Sequence, residues 1–152
     1  MFKKKVKICV LNKFCTPVQK GNWIDLKSAI TITMKGNAQF EYIPLGIKTL
    51  LPKWYKAEAK PRSSTYKNYG VIMTNSLGEI EHDYGGEWVF PVLSFKEKTI
   101  KEGDAICQFQ VKLREDAPWY MKIMDLFTKI KLVYVKESEI TGKRRGLGST
   151  GK

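Results

Sequence analysis

Cysteine is scarce in this 152-residue chain, and the spacing of the few cysteines excludes two common ways of stabilising a small domain. The chain has an odd number of cysteines, Cys9, Cys15 and Cys107, and no two of them have C-x-x-C spacing. They argue against a disulfide framework and against a structural zinc site, and they favour a reducing, cytoplasmic location. The single histidine, His82, lies in a predicted turn, and we assign it no role.

Long apolar runs are also missing. None approaches the roughly 18 residues that a membrane-spanning helix needs, so we expect no membrane segment. The basic start, residues 1–5, resembles that of a signal peptide, but Lys7 and Asn12 interrupt the apolar residues that follow. We therefore expect an ordinary strand there. The length suits one domain, and we find neither an internal repeat nor an interdomain linker.

Negative charge is under-represented, with 15 Asp and Glu against 27 Lys and Arg and a formal net charge of +12. Such a balance attracts anions, which include nucleic acid, anionic lipid and polyphosphate nucleotides. Most of the lysines alternate with apolar residues, as they do on a solvated strand face. Charge alone therefore does not choose between these partners and a plain soluble surface.

Short segments of alternating hydrophobicity, separated by turns, predict an all-β barrel or sandwich. One helix is predicted over 118–129, where Trp119, Ile123 and Leu126 fall at helical spacing behind a possible cap at Asp116. Beyond Glu139 the sequence is polar and glycine-rich, which is typical of a tail. The predicted strands cover residues 6–11, 23–34, 40–47 with a break at Pro44, 88–93, 105–111 and 130–135.

The segment 58–88 has the layout of a site that binds a phosphorylated small molecule and attacks it with water. A Pro-Arg-Ser-Ser turn comes first, and an acidic segment that ends at Tyr84 follows. The guanidinium of Arg62 is a planar fork of donors suited to phosphate oxygens, and the hydroxyls of Ser63 and Ser64 can complete a cradle. The alternative is a turn in which Arg62 pairs with a structural carboxylate.

The acidic segment combines carboxylates with an aromatic ring at Glu81, Asp83 and Tyr84. A carboxylate near a phosphorus centre can orient and deprotonate a water molecule. An aromatic ring can pack on a sugar and sense its 2′ position by crowding. The alternative is a charged hairpin with no catalytic role.

Polar residues elsewhere can complete such a site. Asp25, in a predicted strand, can hold a metal or its water shell, or it can be a hydrogen-bonded strand-end residue. Gln108 can donate its amide to a phosphate, or it can be an exposed strand residue. The basic tail 142–152 can wrap a polyphosphate through backbone amides, or it can be a disordered tail. Its spacing does not fit a Walker motif.

Taken in order, five motifs resemble those of the trimeric dUTPase family, and the closest resemblance is to its bacterial and phage forms. The resemblance runs from about residue 21 to the end of the chain, and the order and spacing of the motifs make it specific. The motifs are Trp-Ile-Asp-Leu at 23–26, Pro-Arg-Ser-Ser at 61–64, Gly-Glu-Ile-Glu-His-Asp-Tyr at 78–84, Gly-Asp-Ala-Ile-Cys-Gln at 103–108 and Arg-Arg-Gly-Leu-Gly-Ser-Thr-Gly at 144–151.

The resemblance implies an all-β, jelly-roll-like distorted β-barrel over residues 1–138, with one short helix, that assembles as a homotrimer. It implies a C-terminal arm, residues 139–152, that closes a neighbouring active site. The implied activity is hydrolysis of dUTP to dUMP and pyrophosphate with Mg²⁺, in a site that draws motifs from three subunits. The implied partners are dUTP and the chain itself, with no membrane and no specific nucleic acid.

The resemblance also assigns roles to single residues. Glu81 stands where the family has its water-activating aspartate, and Asp25 holds the metal through water, so these two are the expected catalytic residues. Tyr84 packs on deoxyribose and excludes ribose, while Asn75 and the strand after it read uracil. The remaining expected substrate-binding residues are Arg62, Ser63, Ser64, Gly78, Gln108, Arg144, Leu147, Gly148, Ser149 and Thr150.

Some positions depart from the family pattern. Glu81 replaces the usual aspartate, and Leu147 replaces the arm's usual aromatic residue. Arg145 replaces a usual glycine of the arm, and residues 85–86 are glycines where the family often has a positively charged residue after the tyrosine. One alternative is therefore a nucleotide-binding or regulatory protein on the same scaffold, with turnover slowed by the changes at Glu81 and Leu147. A dCTP deaminase-like enzyme ranks lower, and a nucleic-acid binder argued from charge ranks last.

Overall fold

The structure is a computed structural model that describes residues 2–144 and 146, and β-strands dominate it. In this part of the chain the longest helix has seven residues and a second, unexpected helix has five. The prediction of an all-β fold with one short helix is therefore confirmed, apart from this additional five-residue helix. Two 3₁₀ turns lie at Lys13–Cys15 and Glu137–Glu139. The elements in chain order are β1 (Phe2–Val10), β2 (Val18–Lys20), β3 (Trp23–Lys27), β4 (Ile32–Lys35), β5 (Gln39–Pro44), β6 (Ile47–Leu50), β7 (Tyr55–Pro61), α1 (Thr65–Tyr69), β8 (Val71–Met73), β9 (Gly78–Ile80), β10 (Val89–Ser94), β11 (Glu97–Ile100), β12 (Ala105–Leu113), α2 (Trp119–Asp125) and β13 (Thr128–Tyr134).

The strands form four small sheets that enclose one core. The largest has the order β2-β3-β12-β7-β9 and is antiparallel throughout. A second sheet has the order β13-β1-β6, with β13 parallel to β1, and a third has the order β5-β10-β8. Strands β4 and β11 form a separate pair. Neighbours in a sheet are often distant in sequence, which is the connectivity of a sandwich or barrel.

One face of the five-stranded sheet lies on the core. Ile24 and Leu26 of β3 and Phe109 of β12 are fully buried on this face. Phe109 meets Trp88 edge-on, with 4.9 Å between ring centroids. The Trp88 indole N–H donates to the Thr49 hydroxyl over 3.1 Å, which satisfies its polar atom inside the core.

The other face of this sheet is polar, because successive strand residues point to opposite sides. Asp25, Lys56 and Glu58 lie on it and are nevertheless buried, since charged neighbours cover them. Lys56 Nζ donates to Glu115 over 2.7 Å and to Glu79 over 3.0 Å, and these two hydrogen bonds raise its pKa. Paired charges of this kind remain ionised where an isolated buried charge would not.

The predicted helix over 118–129 is shorter than expected, and its predicted cap is wrong. Helix α2 ends at Asp125, and Thr128 already pairs with Phe2 at the start of the β1–β13 ladder. Pro118 is the N-cap residue, while the Asp116 carboxylate accepts two hydrogen bonds from the Arg114 guanidinium. The tertiary pairing of β13 therefore overrides the helical spacing of the sequence.

Helix α2 and the loop after it expose apolar side chains in the single chain. Trp119, Leu126 and Phe127 are 73%, 79% and 63% exposed, and no residue of α2 is buried. These side chains therefore do not pack against the core of their own chain, although they fall at the spacing of an amphipathic helix.

Two further differences from the predicted elements have local causes. The predicted strand 23–34 is interrupted because the Ser28 hydroxyl donates to the Ile30 carbonyl over 2.7 Å and competes with strand pairing. The helical turn α1, which the sequence did not suggest, ends at Gly70, whose φ of +63° suits a left-handed cap. In residues 2–144 and 146, none of the helices has the length and hydrophobicity to cross a membrane.

Phe109→Ala is expected to lower the free energy of unfolding by about 3–5 kcal/mol, because it empties a fully buried site beside Trp88. Gln110→Ala, the next residue on the opposite face, is expected to cost about 0.5 kcal/mol or less. Chemical denaturation at one fixed protein concentration measures both values. Equal losses in the two variants would contradict this assignment of the faces.

Candidate functional site

Asp25 and Gln108 are direct neighbours across the β3–β12 ladder, on the polar face of the five-stranded sheet. Asp25 is only 5% exposed. One of its carboxylate oxygens lies 3.0 Å from Lys20 Nζ and the other 3.2 Å from Arg62 Nε. The Gln108 side-chain amide donates to the Pro61 carbonyl over 3.2 Å. The first, second and fourth motifs therefore meet at one place in a single chain.

Thr65 fixes the loop that carries Arg62. Its hydroxyl accepts from the Arg62 backbone N–H and donates to the Ile106 carbonyl, each over 2.8 Å, and it is 1% exposed. The Arg62 guanidinium also donates to the Ala105 carbonyl over 3.1 Å. Ser63 is exposed, and the Ser64 hydroxyl makes no capping bond to α1. We call Asp25, Arg62, Ser63, Ser64 and Gln108 the Asp25 cluster.

A second group of predicted residues lines a cavity of about 350 Å³, which lies within the usual range for small-molecule sites. Its walls include apolar side chains such as Met73 and Phe90. We call this space the Tyr84 cavity. The predicted site residues on its lining are Asn75, Gly78, Glu81, Tyr84 and Arg144.

Arg114, which sequence reasoning missed, faces the expected catalytic carboxylate. Its Nη1 lies 3.5 Å from Glu81 Oε2 and 3.4 Å from His82 Nδ1. The rest of its guanidinium is held by Asp116 over 2.8 and 2.9 Å. Arg114 therefore places a fixed positive charge beside the Glu81 carboxylate. In the sequence, the Arg-x-Asp spacing at 114–116 could have indicated a guanidinium fixed by a carboxylate.

The beginning of the C-terminal arm lies against the third motif of the same chain. The Arg144 backbone accepts from the Gly85 N–H over 2.8 Å and donates to the Asp83 carbonyl over 3.2 Å. A Cβ on Gly142 would come within 2.6 Å of the Asp83 carbonyl oxygen, so only glycine permits this approach. The arm residues Leu147, Gly148, Ser149 and Thr150, like Arg145, lie outside the described residues.

Within one chain the Asp25 cluster and the Tyr84 cavity do not meet. Asp25 on β3 is separated from β9, which carries Gly78, by three strand-to-strand steps, or roughly 14 Å. The cavity is lined by Ala59 and Cys107 from the core face of the sheet, whereas Asp25 and Gln108 lie on the opposite face. No member of the Asp25 cluster lines the cavity.

Magnesium fits the Asp25 cluster as an ion held through water. Among the described residues, no group of three or more His, Cys, Asp or Glu side chains could hold a metal ion. Asp25 supplies one carboxylate, which already attracts Lys20 and Arg62. Mg²⁺ keeps several waters and commonly takes one or two carboxylates together with substrate phosphates. This donor set therefore suits an ion that shares its ligands with a polyphosphate.

Cys107 contributes neither a nucleophile nor a metal ligand at this site. Burial, and after it the charge of Asp25, raise the pKa of its thiol, against a smaller opposing effect of Arg62. The thiol is therefore uncharged at neutral pH, and a neutral thiol is a poor nucleophile and a poor ligand.

Thr65→Val is expected to lower the free energy of unfolding by about 1–3 kcal/mol, because it leaves the Arg62 N–H and the Ile106 carbonyl without a partner in a buried place. It should also weaken binding of triphosphate at the Asp25 cluster. Thr33→Val, which removes one exposed side-chain hydrogen bond to Thr99, is the matched control and should change stability by about 0.5 kcal/mol or less. Chemical denaturation measures the stability of both variants, and titration with triphosphate measures their anion affinity. Unchanged anion affinity in Thr65→Val would contradict the role given to Thr65.

Comparisons with known proteins identify the family of this chain. The family model described as dUTPase matches residues 13–120. The chain is 39% identical to the SPbeta prophage-derived deoxyuridine 5'-triphosphate nucleotidohydrolase YosS of Bacillus subtilis, over 97% of this chain and 98% of that protein. It is 31% identical to the deoxyuridine 5'-triphosphate nucleotidohydrolase of Caldanaerobacter subterraneus subsp. tengcongensis, over 85% of this chain and 78% of that protein.

Solved structures support the fold. The dUTPase from Streptococcus mutans superposes with a TM-score of 0.64 at 18% identity, over 72% of this chain and 93% of that chain. A mutant dUTPase from phage phi11 of S. aureus, described with a structural Mg(II) ion, gives a TM-score of 0.65 at 14% identity, over 74% of this chain and 93% of that chain. The family match, the identity to curated relatives and the shared fold confirm the resemblance: this chain belongs to the dUTPase family.

Proposed function

We propose that this chain hydrolyses dUTP to dUMP and pyrophosphate in sites formed between copies of the chain in a homotrimer. One observation carries the proposal. The Asp25 cluster offers groups for phosphate and metal, the Tyr84 cavity offers groups for a nucleoside and a water molecule, and the two lie on opposite faces of one sheet. A second copy that places its Asp25 cluster beside this cavity completes the site.

The nucleoside occupies the Tyr84 cavity in this proposal. Asn75 and the backbone at Gly78 present amide donors and acceptors to uracil, and the apolar walls exclude water from the base. The Tyr84 ring packs on deoxyribose, where its bulk leaves no space for a 2′-hydroxyl. Its hydroxyl donates to the Glu87 carbonyl over 3.1 Å, which fixes the ring plane.

The triphosphate is bound by the Asp25 cluster of the neighbouring copy. Arg62 supplies a fork of donors, and Ser63, Ser64 and Gln108 add neutral donors. Bound Mg²⁺, held through water by Asp25, would neutralise charge on the phosphates. Arg144, which is 56% exposed in its side chain, adds a cation from the arm. Leu147, Gly148, Ser149 and Thr150 are proposed to close over the nucleotide.

Glu81 orients the attacking water and accepts its proton. The water oxygen forms a bond to the α-phosphorus while the bond from that phosphorus to the bridging oxygen breaks, and pyrophosphate leaves. The cation of Arg114 lies 3.5 Å from the Glu81 carboxylate and holds it in position before the attack. Glutamate therefore retains the function of the family's usual aspartate, and this favours hydrolysis over the binding-only alternative.

Association of the chain is supported by its surface as well as by its incomplete site. The exposed Trp119, Leu126 and Phe127 form apolar surface of the kind that monomers rarely leave in water. We propose the cytoplasm as the compartment, because the three thiols are free and such proteins are kept reduced there.

The test is pyrophosphate release from dUTP compared with UTP, dCTP and dTTP. We expect dUTP to be preferred, and we expect chelation of Mg²⁺ with EDTA to abolish turnover. Glu81→Gln should lower kcat by about 10²–10⁴-fold, since it removes the proton acceptor. Glu97→Gln, an exposed carboxylate on β11, is the matched control and should leave kcat unchanged.

Two results would contradict the proposal. If the wild-type chain released pyrophosphate from dUTP no faster than the Glu81→Gln variant, the proposed hydrolysis would be wrong, even if the chain still bound the nucleotide. Release of ammonia from dCTP would assign the chain to deamination instead.

A further inference from the structure

Five lysines share the outer face of the β1–β13 ladder. The parallel register pairs Lys3 with Lys129 and Lys5 with Lys131, and it pairs Lys7 with Val133. Because side chains alternate along a strand, five of the six residues in these three rows are lysines pointing to the same side. We call Lys3, Lys5, Lys7, Lys129 and Lys131 the lysine ladder.

Among the described residues, no acidic side chain forms an ion pair with the lysine ladder. Lys3, Lys5, Lys129 and Lys131 are exposed, Lys7 is half-buried, and none of the five belongs to an ion pair within residues 2–144 and 146. Lys4, which points to the opposite face, pairs with Asp125 instead. Like charges directly opposite each other destabilise a sheet, so the ladder lowers the stability of the chain that carries it.

Protection of a sheet edge does not explain the pattern. Lysines on edge strands prevent two sheets from joining, and β13 is an edge strand. Strand β1, however, is the central strand of its sheet, between β13 and β6, and it carries three of the five lysines. A ligand of opposite charge accounts for lysines on both strands.

We propose that the lysine ladder binds the phosphate backbone of single-stranded nucleic acid, independently of base sequence. Successive rows are roughly 6.6 Å apart, two strand residues of about 3.3 Å each, so the charges form a short line. A flexible single strand can follow such a line and place successive phosphates against it. Lysines that contact phosphate alone carry no base specificity.

The composition of the face favours nucleic acid over a lipid surface. Stable attachment to a membrane combines basic residues with apolar side chains that enter the lipid. The apolar residues in these three rows are Val133 and, on the neighbouring strand β6, Leu50 beside Lys7, and both are half-buried. The proposed binding is separate from dUTP hydrolysis and needs no residue of the Asp25 cluster or the Tyr84 cavity.

The experiment measures fluorescence anisotropy of a labelled 20-mer of deoxythymidine with the full chain across a series of salt concentrations. Three to five neutralised phosphates predict a slope of about −2 to −3.5 in log Kobs against log [salt], from about −0.7 for each phosphate on a single strand. Replacing Lys3, Lys5, Lys129 and Lys131 together by Gln should weaken binding at low salt about tenfold or more and flatten the slope.

A matched variant replaces four exposed lysines on other elements, Lys13, Lys35, Lys53 and Lys98, by Gln. It changes the net charge equally and should bind within about twofold of the wild type. The Tm of the ladder variant should equal or exceed that of the wild type, which separates loss of charge from loss of folding. Equal weakening in both variants, or no binding by the wild type, would overturn the proposal. Ladder-dependent binding to phosphatidylserine vesicles without binding to the 20-mer would also overturn it.

Discussion

The alternation of side chains across the five-stranded sheet is the constraint on which the rest of the structure depends. Strand β3 buries Ile24 and Leu26 on the core side and therefore must present Asp25 on the other. The same rule places Gln108 beside Asp25 and Phe109 in the core. A chain folded in this way carries the Asp25 cluster and the Tyr84 cavity on different surfaces, and in the proposed site neither of them has both the phosphate-binding groups and the water-activating carboxylate.

Charge pairing is what allows a polar face to be buried within a small domain. Asp25 takes Lys20 and Arg62 as partners, while Lys56 bonds to carboxylates from two other parts of the chain. Such pairs add little net stability but are costly to break, so they fix geometry. The pairing at Asp25 holds Arg62 beside Gln108, and the pairing at Arg114 holds a cation beside Glu81.

Much of the fold, and the grouping of several expected site residues, could be predicted from the sequence, because strand alternation and short motifs are local signals. Asp25 and Gln108 do lie side by side, and Glu81 and Tyr84 do line one cavity. Two things depended on tertiary structure instead. Pairing of Thr128 with β1 shortened the predicted helix, and only the folded chain brings Arg114 to Glu81. The roles given to all of these site residues, the outer arm included, stay predictions.

The most direct test of the central claim mixes two variants, Asp25→Asn and Glu81→Gln, each expected to be inactive alone. Unfolding them together at equal concentration and refolding forms mixed assemblies. If each site joins Asp25 of one copy to Glu81 of another, about one quarter of the sites are intact, and hydrolysis of dUTP recovers to about a quarter of the wild-type rate. Activity of the refolded mixture no greater than that of the separate variants would show that one chain holds the whole site, and would contradict the account.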